Sequence, residues 1–150
     1  MVRIGKASRF RVPAFSGSNT MTYLDSDTLK GKTVVLSFVP RLTPVDIALL
    51  SAHAERFATG AVSFLIAMAE DQPFHQAWLR QVGPLQLHLL ADPIGRLRRS
   101  YGLDRRAGLT RCHSFVVGPD GLLQFQLVHD LDLRGMKPLL ELLEAVRRER

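Results

Sequence analysis

Cys112 is the one thiol among 150 residues. Its neighbours Arg111 and His113 are cations of the kind that lower a thiol pKa and so favour the thiolate, the form that does nucleophilic and redox chemistry. A single sulfur sets limits at once. It excludes an internal disulfide framework, a cysteine-rich zinc site, and any redox cycle that passes electrons between two cysteines of one chain. Unpaired cysteines are commonly small buried fillers, so the residues favour an inert Cys112. A one-cysteine thiol oxidoreductase working with an external thiol is the alternative. The five histidines, His53, His75, His88, His113 and His129, are scattered. None pairs with another at the i, i+4 spacing with a glutamate that marks a helical zinc site. No metal or other cofactor is expected. Gly118-Pro119-Asp120-Gly121 lacks the lysine and the following helix of a phosphate loop, and reads as a hairpin turn.

The elements that would position these groups follow from hydrophobic patterning. Thr33 to Val39 is short, apolar and β-branched, with Gly31 before it and Pro40 after it, and predicts a buried strand. A helix is expected from about Pro44, with Ile47, Leu50, Ala54 and Phe57 on one face and Gly60 at the exit. Val62 to Ala67 predicts a second buried strand, and Pro73 opens a helix to about Gln81 that Gly83-Pro84 ends. Phe74 and Trp78 fall at helical spacing and read as core packing. Leu85, Leu87 and Leu89 alternate with Gln86 and His88, which predicts a third strand with one face more exposed. After Asp92-Pro93 a short helix should run to about Tyr101 and stop at Gly102. Ser114 to Val117, the turn at Gly118–Gly121 and Leu122 to Val128 predict a hairpin, with Leu123, Phe125 and Leu127 facing one way. Met136, Leu139, Leu140, Leu143 and Val146 predict a closing helix. Strands that alternate with helices and close on a hairpin indicate an α/β fold with a central mixed sheet and helices on both faces.

Composition bounds the rest. At 46% hydrophobic, 150 residues suit one domain, 1–150, and are short for two. No apolar run approaches the roughly 20 residues that cross a bilayer, and the charged, interrupted start is unlike a signal peptide. A soluble, cytoplasmic protein is expected. The net charge of +6 comes mainly from Arg96, Arg98, Arg99, Arg105, Arg106 and Arg111, then Arg147, Arg148 and Arg150. Such runs are usually solvated faces. They are not interleaved with aromatics as in single-strand binders, which argues against nucleic-acid binding, although acidic partners are conceivable.

Several segments in order carry a family resemblance. Ile4-Gly5-Lys6-Ala7-Ser8-Arg9-Phe10-Arg11-Val12-Pro13 is similar to the opening that peroxiredoxins write as G-x-x-A-P-x-F-x-L. Leu29-Lys30-Gly31-Lys32 leads into Thr33-Val34-Val35-Leu36 like the family's loop into its first core strand. Asp71-Gln72-Pro73-Phe74-His75-Gln76 resembles the D-L-P-F-A-Q segment of bacterial thiol peroxidases. Asp92-Pro93, Tyr101-Gly102-Leu103 and Phe115-Val116-Val117-Gly118-Pro119-Asp120-Gly121 complete the series. Each piece is weak alone; the order and distances are specific. The resemblance implies a thioredoxin-like fold with an N-terminal extension and a homodimer.

The chemistry is where the sequence departs. Active relatives carry P-x-x-x-T/S-x-x-C, with the cysteine at a helix N-terminus where the dipole favours a thiolate that attacks peroxide. Here Pro40 and Thr43 stand one residue closer together, and Thr43-Pro44-Val45-Asp46 aligns with T-P-G-C. Asp46 takes the nucleophile's place. In the helix where a resolving cysteine would fall, the chain offers Trp78, Leu79 and Arg80. The family's arginine, three positions before the first aromatic of F-V-I-D, falls on Cys112; Arg111 can replace it only if a bulge or gap corrects the strand register. Pro40, Thr43, Asp46 and Arg111 would then form a vestigial pocket. In it Asp46 caps a helix, or its carboxylate stands in for the thiolate and pairs with Arg111 or with a cationic or hydrogen-bond-donating ligand. Taken together, these departures predict a thiol-peroxidase-like protein without peroxidase turnover, acting as a binding or assembly module toward an unknown protein or small molecule.

Overall fold

A computed structural model describes residues 9–16, 20–39, 52, 62–68, 88–91, 96–103, 111–129, 137–138 and 141–145. The strands are β1 (Arg11–Ser16), β2 (Thr20–Asp25), β3 (Thr33–Phe38), β4 (Val62–Met68), β5 (His88–Ala91), β6 (Cys112–Val117) and β7 (Leu123–His129). They form one seven-stranded sheet in the order β2-β1-β5-β4-β3-β6-β7. Three central strands, β3, β4 and β5, run parallel to their neighbours, while β1 and β6 join them antiparallel. A 3-10 turn, Ser26–Leu29, links β2 to β3, and a short helix, α1 (Arg96–Ser100), precedes β6. Residues 137–138 and 141–145 are helical, with Leu143 buried. Among the described residues no helix is long and apolar enough to cross a membrane.

The sheet is buried on both faces because its central strands are apolar at most positions on either face. Val34, Leu36, Phe38, Leu65, Ala67, Leu90, Phe115 and Val117 form one face, which Leu29, Leu97 and Tyr101 cover. Val35, Phe64, Ile66, Leu89 and Val116, also buried, alternate onto the other. The first face is held by an aromatic triad. Phe38 meets Phe115 edge-on at 5.8 Å, and Tyr101 packs 5.6 Å from Phe38 and 5.0 Å from Phe115, all within the range of favourable ring pairs. Tyr101 reaches them because α1 stops: Leu103 N–H and Tyr101 N–H both donate to the Arg98 carbonyl, and Gly102 takes the left-handed φ of 78° that ends the helix.

Four expectations need correction. The N-terminal hairpin β1–β2 is part of the sheet, adding two strands that the alternating pattern did not indicate. In β5, Leu89 and Leu90 point to opposite faces and are both fully buried, so both faces of this strand are covered. Arg98 is only 6% exposed, unlike its exposed neighbours Arg96 and Arg99, so the arginine run is not wholly a solvated face. Finally, Leu123 does not share a face with Phe125 and Leu127. Leu123 pairs with Val117 and Phe125 with the adjacent Val116, so Gln124 is the extra residue of a β-bulge that reverses the facing of all that follows. The helices expected at 44–57, of which only Ala52 is described and is helical, and at 73–81 lie outside the described residues, as does Trp78.

Phe115 sits at the centre of the triad with no exposed surface. Phe115→Ala should lower unfolding free energy by about 3 to 5 kcal/mol in urea titrations, and a loss under about 1 kcal/mol would show that the triad does not bear on stability.

Candidate functional site

The sequence points to the end of β3, where the chain enters the 40–46 segment. Pro40, Thr43 and Asp46 lie outside the described residues; Arg111 and Cys112 do not. Arg111 is exposed immediately before β6, and Cys112 opens the strand at 1% exposure. The pairing of β6 with β3 is unbroken from Val34↔Val117 to Phe38↔His113. The one irregularity lies between Val116 and Val117, against β7 and at the far end of the strand. The described part of β6 carries no bulge beside Arg111 or Cys112. Cys112 is buried, opposite its cross-strand neighbour His129 of β7.

Two groups of polar side chains surround this end of the sheet, one on each face. On the face with Cys112, the Ser37 and Ser114 hydroxyls are 2.7 Å apart, and Ser114 Oγ is 2.6 Å from His129 Nε2. Ser37, Ser114 and His129 are 5%, 0% and 3% exposed. The strand register puts Ser37 opposite Ser114, and the Gln124 bulge turns His129 onto the same face. A serine and a histidine at this distance resemble a nucleophile and its base. With no surface exposed on Ser114 a substrate has no approach, and the chain acts instead to satisfy three polar groups inside the sheet. Sequence reading missed it, treating His129 as one of several scattered histidines. The available signal was two serines interrupting otherwise apolar strands.

On the opposite face His113 is flanked by cations. Burial lowers its pKa from the ordinary 6.5, and Arg111, Arg98 and His129 push it further down. Its buried Nδ1 makes no hydrogen bond among the described residues. Burial, with Lys32, also lowers His88. Tyr101, under the same face, is pushed up to about 12 by burial and stays a neutral phenol.

With this geometry in hand, likeness to known proteins can be placed. Residues 6–126 match the AhpC/TSA family. The chain belongs to that family. Peroxiredoxin-2 of Macaca fascicularis is 33% identical over 128 residues, covering 77% of this chain and 65% of that one. A protein of the Clostridium pasteurianum rubredoxin operon, assigned to the peroxiredoxins, is 26% identical over 156 residues, 95% of this chain and 88% of its own. Among solved structures, the reduced 2-Cys peroxiredoxin of Plasmodium vivax superposes with a TM-score of 0.83 at 21% identity, over 96% of this chain and 95% of that one. AhpC of Enterococcus faecalis gives 0.82 at 24% identity, over 98% and 93%. The fold is therefore thioredoxin-like, as expected, and the peroxiredoxin chain here carries one cysteine, buried in β6.

Two outcomes follow from the two polar groups. Ser114→Ala removes the middle of the hydroxyl chain and with it both of its bonds, so it should cost about 1 to 3 kcal/mol, more than Ser37→Ala, which leaves Ser114 and His129 paired. Equal losses in urea unfolding would contradict the chain. For His113 and His88 the folded pKa lies below the unfolded value, so the unfolded state binds more protons as the solution acidifies. Their contribution to stability is full above about pH 6.5 and is lost as pH falls through the lowered folded values. Urea midpoints should fall between about pH 7.5 and pH 5.5, and His113→Asn should reduce the fall; an unchanged fall would exclude His113 as a source.

Proposed function

We propose that this peroxiredoxin-family protein has lost peroxide reduction and works as a binding or assembly module. The observation that carries the reading is the state of its sulfur. Peroxide reduction needs a thiolate that an O–O bond can approach, and the only thiol, Cys112, is 1% exposed within a paired strand. Asp46 stands in sequence where the family's nucleophile does, and a carboxylate cannot pass through a sulfenic acid. Its first role is to cap the helix expected there; a second is to imitate the thiolate's charge. Arg111, exposed ahead of β6, stands at the end of β6 that pairs with Phe38, from which the chain continues toward Asp46.

A homodimer fits the same reading. Among the described residues β7 is a terminal strand of the sheet, and Leu122, Phe125 and Val128 on or beside it are 45%, 39% and 41% exposed. Open apolar edges are natural pairing surfaces.

In a coupled assay with dithiothreitol or thioredoxin as reductant, hydrogen peroxide should not be consumed above the protein-free rate, and Cys112→Ser should leave that rate unchanged. Turnover abolished by Cys112→Ser would overturn the reading in favour of a one-cysteine thiol oxidoreductase.

A further inference from the structure

At the end of the sheet away from the 40–46 segment lies a cavity of about 480 Å³, within the roughly 300 to 1,000 Å³ of small-molecule sites. Leu29, Val34, Leu36, Val117 and Tyr101 make an apolar floor. The walls are pinned to one another by backbone bonds: Gly31 N–H donates to the Pro119 carbonyl at 3.0 Å, and Ser26 N–H to the Phe10 carbonyl at 2.9 Å. Phe10 N–H returns a bond to Ser26 Oγ at 3.0 Å. The cavity is thus formed before any ligand arrives, which lowers the ordering cost of binding.

The mouth is charged asymmetrically. Arg9 Nε and Lys30 Nζ lie 3.4 Å and 3.8 Å from one oxygen, Oδ1 of Asp27. Two cations share one carboxylate, so this rim keeps a net positive charge. At 73% and 65% side-chain exposure, both cations are weakly held there and can turn toward an incoming anion. The acid across the mouth, Asp120, accepts the Leu122 N–H at 3.1 Å and serves the hairpin turn. The floor offers Tyr101 as a neutral ring, and the two acids among the lining residues, Asp27 and Asp120, are exposed at the mouth and not on the floor.

From the apolar floor and the two cations that share one carboxylate at the rim we propose that this cavity binds a compact aromatic or branched aliphatic acid, its body on the floor and its carboxylate at Arg9 and Lys30. Arginine supplies a planar fork matched to a carboxylate and lysine a point charge, a pairing suited to an anionic head at the edge of an apolar pocket. The site is separate from the peroxiredoxin segment at the other end of β3 and does not depend on what that segment does.

The test compares 1-naphthoate with the uncharged 1-naphthylmethanol, titrated into the full-length chain with labelled methyl groups. Naphthoate should saturate at one site and shift the methyls of Leu29, Val34, Leu36 and Val117. The double variant Arg9→Glu/Lys30→Glu alters exposed side chains and should leave the fold intact. It should weaken naphthoate roughly tenfold while changing the alcohol by less than about twofold. The proposal is overturned if naphthoate gives no saturable shift at those methyls, if the alcohol binds the wild type as tightly as the acid, or if charge reversal affects both alike.

Discussion

Ser37 and Ser114 face one another where β3 meets β6, and the register that this pairing expresses governs most of the molecule. It sets Leu36 against Phe115, which builds the aromatic floor with Phe38 and Tyr101 on one face. On the other face it lines up Cys112 and Ser114. Because strand side chains alternate, a slip of one residue in β6 would exchange these sets, turning His113 and Phe115 onto the face of Ser37 and turning Cys112 and Ser114 onto the aromatic, apolar face. The bulge at Gln124 completes the arrangement. It lets Leu123 enter the core beside Val117, yet returns His129 to the face where Ser114 needs a partner.

That register also places the chain's one sulfur: Cys112 lies inside the sheet, while Arg111 sits exposed ahead of it. A cysteine of this size fills the space without a charge to satisfy, and the imidazole and hydroxyls beside it already partner one another. The sulfur is therefore placed as a packing atom. Arg98, Arg111 and His113 are brought near one another at this end of β3, where burial first and the arginines second lower the imidazole pKa.

Much of the fold was legible in the residues because its central strands are continuous apolar runs bounded by glycine and proline. β3, β4, α1 and the Gly118–Gly121 turn stand where those signals put them. The N-terminal hairpin was harder, since Arg11, Tyr23 and Thr22 make a half-exposed strand pair that joins the sheet only through β5. The facing of β7 was misread because a bulge leaves no mark in simple alternation: Leu123, Phe125 and Leu127 share a period of two and still lie on different sides. Of the site, the single buried cysteine was readable from count and context. The Ser37–Ser114–His129 chain was not, because it joins residues 77 and 15 positions apart in sequence, and only the sheet register brings them together. The cavity below Tyr101 escaped for the same reason: its walls come from five separate stretches of chain.

A chain that belongs to the AhpC/TSA family thus carries its one cysteine at a buried position in the sheet, and whether peroxide can reach that sulfur decides between the two readings of its function. Trapping with dimedone reads this directly, since the reagent adds only to a sulfenic acid. Native protein exposed to an equivalent of hydrogen peroxide should show no dimedone adduct on Cys112 by intact mass and peptide mapping. An adduct forming in native buffer, at a rate well above that of free cysteine, would contradict the account and return the chain to the enzymes.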